Sequence, residues 1–157
     1  MFFTRTYRYA SAKSAEDIKH SLLGKHVRIH NLDFEIFEKD RVLRIIPHAE
    51  QETNIKTLPI THIELEGEGE KTKIVISSKM RKIDSGGPML ILIFCLFMLI
   101  GSILFFFFGK TEYASYTYTL LGLSLLLFSV FWVRMERGYF DYIRKIRDYV
   151  KTESAVS

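Results

Sequence analysis

Cysteine is almost absent from this 157-residue sequence, in which Cys95 is the single example. One thiol cannot form an intramolecular disulfide, and it cannot supply the clustered thiolates of a structural zinc site. Cys95 lies inside a long apolar run, where we interpret it as a small apolar side chain facing lipid or a neighbouring helix. We therefore predict neither a disulfide framework nor a metal centre built on cysteine.

The sequence also lacks the short motifs of several enzyme classes. It contains no Gly-x-Ser-x-Gly nucleophile elbow, no Gly-x-x-x-x-Gly-Lys phosphate loop and no Gly-x-Gly-x-x-Gly dinucleotide fingerprint. The first nine residues include no apolar stretch of the length that a cleaved secretory signal needs. We expect a protein that is not an enzyme, that uses no cofactor and that is not exported by a cleaved signal.

Charge is distributed in a way that argues against nucleic acid as a partner. The formal net charge is +4 and the pI is about 9.1, but acidic residues are interleaved with basic ones over most of the first 87 positions. No continuous basic stripe results, whereas nucleic-acid binding needs one. We predict no nucleic-acid binding.

Two segments lack charge altogether, residues 88–108 and residues 115–133, and only Lys110 and Glu112 carry charge between them. About 20 apolar residues in a helix cross the hydrocarbon core of a bilayer, which is about 30 Å thick. A chain of this length has little else in which to bury two such helices. The pattern predicts a two-helix transmembrane hairpin within residues 85–133, in contact with the lipid bilayer.

The flanks of the hairpin predict its orientation. Basic residues precede the first span and follow the second, whereas the connecting loop offers only Lys110, offset by Glu112. The positive-inside bias then places both termini in the cytoplasm and the loop outside, as expected for an integral protein of the inner (cell) membrane of a bacterium. Aromatic residues at the span ends, Tyr113 and Trp132 among them, suit the headgroup layer. The flanking basic residues are Lys79, Arg81, Lys82, Arg134 and Arg137.

No ionisable residue lies within either span. Ionisable groups inside a membrane mark ion pathways and proton relays, so their absence favours a passive anchor. Small residues allow close approach of two helices. Those available here are Gly101, Ser102, Gly122, Ser124 and Ser129.

Residues 1–84 predict a cytoplasmic α+β domain in the order strand, helix, antiparallel meander. A strand is expected over residues 2–9, although Arg5 interrupts its apolar face. Ser14 and Asp17 resemble a capping box at the start of a short helix that Gly24 ends. Alternating apolar residues then predict strands around 27–36, 42–46, 60–66 and 72–78, with a turn at 38–41. The alternation slips at residues 31–33, which indicates a bulge or tight turn within the first of these runs. The result is a small curved sheet that wraps one helix.

The last two strands form the clearest hairpin in the sequence. Ile63 and Leu65 are expected to face Ile74 and Ile76 across it. The carboxylates of Glu64 and Glu66 are expected to lie opposite the ammonium groups of Lys71 and Lys73.

Residues 134–157 predict a basic amphipathic tail helix. Its apolar residues repeat at spacings of four and three, which is the period of one helix face. This stripe has three possible partners: the anionic lipid surface, the N-terminal sheet, or a second protein or second copy of the chain. We favour packing against protein, because tyrosine joins an apolar ring to a polar tip. The stripe comprises Met135, Tyr139, Tyr142, Ile146 and Tyr149.

Histidine is the remaining residue type with candidate chemistry. The sequence offers His20, His26, His30, His48 and His62, and adding Glu50 or Glu64 makes a mononuclear metal site conceivable. We interpret these histidines as exposed or edge-strand residues and predict no metal site.

The function expected from the sequence is that of a membrane-anchored interaction module or accessory subunit. Its partner is expected to be another membrane protein or a second copy of the chain. One alternative is a sensor for a lipid or small apolar ligand, with a pocket lined by Leu22, Phe34, Ile36 and Ile45. A less favoured alternative is a membrane-associated enzyme that uses His30 and His48.

Overall fold

The structure is a computed structural model that describes residues 3–29, 32–47, 58–68, 71–82, 84–109 and 113–155. The chain divides into two compact units. Unit 1 comprises Met1–Arg81 together with Gly138–Ser157, and unit 2 comprises Lys82–Arg137. The first and last parts of the chain therefore fold together, and unit 2 is inserted between them.

Unit 1 is an α+β unit, as predicted. It contains an antiparallel six-stranded sheet and two helices. The elements in chain order are β1 (Arg5–Ser11), α1 (Ala15–Leu22), β2 (His26–Ile29), β3 (Leu32–Lys39), β4 (Val42–Pro47), β5 (Pro59–Glu68), β6 (Lys71–Met80) and, after unit 2, α4 (Tyr139–Ala155).

The strand order in the sheet is β1-β6-β5-β4-β3-β2. Strands β2 to β6 form the predicted meander, in which each strand pairs with the next. Strand β1 pairs with β6 instead, so α1 leads the chain from one edge of the sheet to the other. One face of the sheet, here called the inner face, packs against α1 and α4. The opposite face is called the outer face.

Helix α1 begins and ends where the sequence predicts. The side chain of Ser14 caps its N-terminus, because Ser14 Oγ accepts a hydrogen bond of 3.1 Å from the backbone N–H of Asp17. Gly24 follows the helix with a φ of 72°, a left-handed conformation that costs glycine little. This short helix buries Ile18 and Leu22 completely.

The register of the β5–β6 hairpin confirms its predicted apolar pairs. Ile63 lies opposite Ile76 and Leu65 opposite Ile74. Of the predicted ion pairs, Glu66 and Lys73 are opposite each other, with 2.6 Å between carboxylate and ammonium. The predicted pairing of Glu64 with Lys71 was wrong, because Glu64 lies opposite Val75 and Lys71 lies opposite Glu68.

The turns of the meander are tighter than the sequence indicates. The turn predicted at 38–41 reduces to Asp40 and Arg41, whose φ angles are 57° and 63°. Two successive residues at positive φ are typical of a type I′ hairpin, whose twist suits the flanking strands. The slip in alternation near residue 31 corresponds to a second hairpin, in which Ile29 pairs with Leu32.

Unit 2 contains two long apolar helices, α2 (Gly86–Phe108) and α3 (Ala114–Arg137). They extend the predicted spans by two residues at the start of the first and by one and four residues at the two ends of the second. Two buried serines join the helices. Ser102 Oγ donates to the Thr117 carbonyl at 2.9 Å, and Ser124 Oγ donates to the Cys95 carbonyl at 2.9 Å.

Candidate functional site

The predicted tail stripe lies mostly inside unit 1. Tyr142 and Ile146 on α4 belong to its hydrophobic core, and Tyr149 packs against that core while partly exposed. Tyr139 is buried as well, whereas Met135 lies in α3 of unit 2. Of the three partners considered for the stripe, the N-terminal sheet of the same chain is the one in contact with it. Binding of this stripe to a second protein stays a prediction.

Aromatic contacts explain why α4 fits this sheet. The ring of Tyr142 lies 5.8 Å from that of Phe34 on β3. Two arginines add cation–π contacts, which suit a guanidinium placed within about 6 Å of a ring centre. Arg5 lies 4.6 Å above the Phe140 ring, and Arg147 of α4 lies 5.0 Å above Tyr7 of β1. Arg5, which interrupts the apolar face of β1, thus has an aromatic partner on the inner face.

Polar contacts fix both ends of α4. At its start, the Tyr139 hydroxyl donates to the Phe3 carbonyl at 2.6 Å, and burial raises the pKa of this phenol above its ordinary range. At its end, Ser11 Oγ donates to the Ser154 carbonyl at 2.7 Å, and Lys25 pairs with the Glu153 carboxylate at 2.8 Å. The last carbonyls of a helix have no partner within it. The Ser11 hydroxyl, from β1, therefore caps the C-terminus of α4.

The proposed ligand pocket is occupied by packed side chains. Leu22, Phe34, Ile36 and Ile45 are each at most 1% exposed and belong to the core. Tyr142 of α4 contacts Phe34 there. These four residues lie in the interface between the sheet and its helices.

The histidines do not form a common site in the part of the chain that the structure describes. His20 lies on α1, and His26 on β2 contacts the Asp33 carboxylate through Nδ1 at 2.7 Å. His30, His48 and Glu50 lie outside the described residues. Within the described ranges, no cluster of three or more histidine, cysteine, aspartate or glutamate residues is arranged to hold a metal ion.

Among the described histidines, His62 has an unusual environment. It lies on the outer face of β5, directly between Arg44 of β4 and Ser77 of β6. Burial, with the positive charges of Arg44 and Lys79, lowers its pKa below the ordinary value, while the Ser77 backbone and Glu64 partly oppose the shift. Neither His62 Nδ1 nor Arg44 Nε, both buried, has a hydrogen-bond partner among the described residues. The sequence alone did not predict this cluster, because its residues become neighbours only through the register of the strand pairing.

The lowered pKa of His62 predicts how the stability of unit 1 depends on pH. In the unfolded chain a histidine takes up its proton near pH 6.5, whereas in the folded chain His62 takes it up only at lower pH. Below about pH 6.5 the unfolded state therefore binds more protons than the folded state. The unfolding free energy of unit 1 consequently falls as the pH falls. We expect denaturant titrations of unit 1 to show this loss, and His62→Gln to reduce it. An identical pH profile in His62→Gln would contradict the assignment.

The basic flanks are exposed at the two ends of unit 2. Lys82 precedes α2, and Arg134 and Arg137 lie in the last turn of α3. Lys79 and Arg81 lie on the unit 1 side of the boundary, at and just after the end of β6. Lys82, Arg134 and Arg137 are all exposed, so each ammonium or guanidinium group can meet solvent or a lipid headgroup.

The exposed apolar surface is concentrated on α2 and α3. Among described residues, every exposed large apolar side chain except Leu23 lies between Met89 and Val133. Phe97 is 73% exposed and Phe108 is 84% exposed. By length and composition, Gly86–Phe108 and a segment within Ala114–Ala155 are each able to cross a membrane. Soluble proteins rarely expose contiguous apolar patches beyond a few hundred Å².

Comparison with known proteins gives no relative from which to infer function. No family model matches the chain, and no curated protein or solved structure matches it significantly.

Proposed function

We propose that the protein is a non-enzymatic membrane-anchored module, in which α2 and α3 cross the membrane as a hairpin and hold unit 1 at its cytoplasmic face. One observation carries this proposal: the exposed large apolar side chains lie almost entirely on these two helices. A core helix of a soluble protein is mostly buried, yet only 17% of the most apolar stretch of each candidate span is buried. The hydrocarbon core of a bilayer is a solvent that suits such a surface.

Unit 1 is formed by two separate parts of the chain, and this supports an even number of membrane crossings between them. Residues before α2 and residues after α3 fold into the same unit. A single folded unit cannot lie on both sides of a bilayer, so the segment between its two parts must return to the side from which it left. Two spans satisfy this condition, whereas one does not.

The hydrogen bonds between the helices support the same arrangement. Ser102 and Ser124 are buried, and each donates to a carbonyl of the other helix. Polar side chains in lipid need such partners, since water is absent there. Ser129 instead donates to the Leu125 carbonyl of its own helix, which also satisfies it. These three serines can thus lie in lipid with their hydroxyls hydrogen-bonded.

The orientation follows from the charged flanks. Arg134 and Arg137 at the end of α3, with Lys82 before α2, lie on the side of the hairpin that leads to unit 1. Positive residues favour the cytoplasmic side of a span. Unit 1 and both ends of the chain would then face the cytoplasm. There the unit would bind a membrane-protein partner, either as an accessory subunit or by self-association.

Single-cysteine labelling tests the topology directly, because Cys95 is the only native cysteine. In a Cys95→Ser chain, one variant carries Ala114→Cys at the start of α3 and another carries Thr6→Cys on the outer face of β1, both exposed positions. We expect a membrane-impermeant maleimide to label the first in intact cells, and the second only after permeabilisation.

Two outcomes would contradict the topology. One is labelling of Thr6→Cys in intact cells, and the other is complete release of the chain from membranes by alkaline carbonate. The accessory role has a separate test, since gentle detergent extraction should retain a stoichiometric partner or a defined oligomer. A lone monomer under those conditions would argue against that role while leaving the anchor intact.

A further inference from the structure

The outer face of the sheet carries a row of polar side chains at its centre. Arg44, His62 and Ser77 lie opposite one another on β4, β5 and β6, three neighbouring strands. Their sequence neighbours Leu43, Ile45, Ile63 and Ile76 belong to the core on the inner face. The alternation of side chains along a strand therefore directs all three outward. They are half-buried, and Lys79 follows two residues after Ser77 on the same face.

This row concentrates positive charge and hydrogen-bond donors, and its carboxylate neighbours, Asp40 and Glu64, are both exposed. The Asp40 carboxylate contacts Nη2 of Arg44 at 3.3 Å, and the Asp40 side chain is 74% exposed. Arg44 Nε and His62 Nδ1 are buried and have no hydrogen-bond partner among the described residues. The charges of Arg44 and Lys79 both act on His62, and Glu64 on the same strand opposes them. Buried polar atoms in native proteins are rarely left unpaired without a reason.

We propose that Arg44, His62, Ser77 and Lys79 form a binding site for a phosphate group on the outer face of the sheet. A guanidinium offers two parallel donors to phosphate oxygens, and an ammonium adds a point charge. The Ser77 hydroxyl donates a neutral hydrogen bond, and a protonated His62 donates a further charged one. A metal ion would meet repulsion from the same cations. The site belongs to unit 1 and does not depend on the anchoring role of the hairpin.

The bound phosphate has a defined effect on His62. An anion beside the imidazole stabilises its protonated form, and so raises its pKa. This effect opposes the lowering of the His62 pKa that burial and the charges of Arg44 and Lys79 cause. Occupancy of the site is therefore visible in the titration of one side chain, which distinguishes it from loose attraction to the protein surface.

The test uses the full chain, labelled at histidine, in nanodiscs of zwitterionic lipid. The His62 ring signals are titrated with pH by NMR, in inorganic phosphate and in chloride of equal ionic strength. A second arm uses nanodiscs that contain anionic phospholipid, without free phosphate. Arg44→Met removes the guanidinium but keeps the chain length, and Arg28→Met, an exposed arginine of β2 on the same face, is the matched control.

We expect phosphate to raise the pKa of His62 in the wild type and in Arg28→Met. In Arg44→Met, phosphate affinity should fall about tenfold, which corresponds to about 1.4 kcal/mol. If the pKa of His62 rises only in anionic nanodiscs, the phosphate group belongs to a lipid headgroup. If it rises with free phosphate, the site binds a soluble phosphate compound. The proposal is overturned if neither arm moves the pKa beyond the chloride control, or if Arg44→Met responds as strongly as Arg28→Met.

Discussion

Replacing Ile146 by aspartate should unfold unit 1. Ile146 is fully buried on α4, where it joins the core shared with the sheet and α1. Truncating a buried isoleucine to alanine typically costs about 2–5 kcal/mol, and an unpaired buried carboxylate adds a desolvation cost of several kcal/mol. Small domains have about 5–15 kcal/mol of stability in total. The sum therefore reaches the whole stability of the unit.

Hydrogen exchange resolves this effect by region. Backbone amides of β5 and β6 should lose their protection in Ile146→Asp, while the amides of α2 should keep theirs. The matched control is Lys151→Asp, which places the same side chain on the exposed face of the same helix. It should leave the exchange pattern of β5 and β6 unchanged. Retained protection of the sheet in Ile146→Asp would show that α4 is dispensable for unit 1.

The local parts of this fold were predictable because adjacent residues encode them. The cap at Ser14 and the stop at Gly24 need only the geometry of one helix turn at each end. The β5–β6 hairpin is similarly local, since alternation fixes which residues face inward and a short turn fixes their register. The one wrong pairing, of Glu64 with Lys71, misplaces the partner of each residue along the neighbouring strand and changes no inward-facing residue.

The partner of α4 was not predictable in the same way. The stripe of Tyr142 and Ile146 identifies a buried face of the helix, but periodicity carries no information about what covers it. The deciding contacts join residues far apart in sequence, such as Ser11 with Ser154. Two apolar helices intervene between them. Only the folded chain shows that α4 packs against a sheet whose first strand lies near the N-terminus.

The cluster around His62 was missed for a related reason. Arg44 and His62 come together through the pairing of β4 with β5, and those strands are not joined by a short turn. A slip of one residue in that pairing would send one side chain to the opposite face. Neither residue belongs to a motif, so the sequence gives no sign that they are neighbours. The exposed apolar helices, by contrast, are evident from composition alone.

The second large effect is expected from Phe97→Arg, which tests whether α2 lies in lipid. Phe97 is near the middle of this helix and is 73% exposed. If its surroundings are water, arginine at an exposed position changes stability by no more than about 0.5 kcal/mol. If its surroundings are the bilayer centre, arginine costs about 2.5–3.5 kcal/mol in insertion free energy. A cost near 3 kcal/mol is roughly a hundredfold change in the insertion equilibrium.

We expect the second result, so the fraction of Phe97→Arg that resists alkaline carbonate extraction should fall sharply. Phe97→Leu controls for loss of the ring and should remain in the membrane. Leu23→Arg is the matched control outside unit 2, because Leu23 is an apolar side chain of unit 1 that is 42% exposed. It should leave membrane integration unchanged. Because exposure alone would tolerate arginine equally at both positions, a loss confined to position 97 would indicate lipid as the surroundings of that side chain. Equal integration of Phe97→Arg and Phe97→Leu would instead place α2 outside the hydrocarbon core.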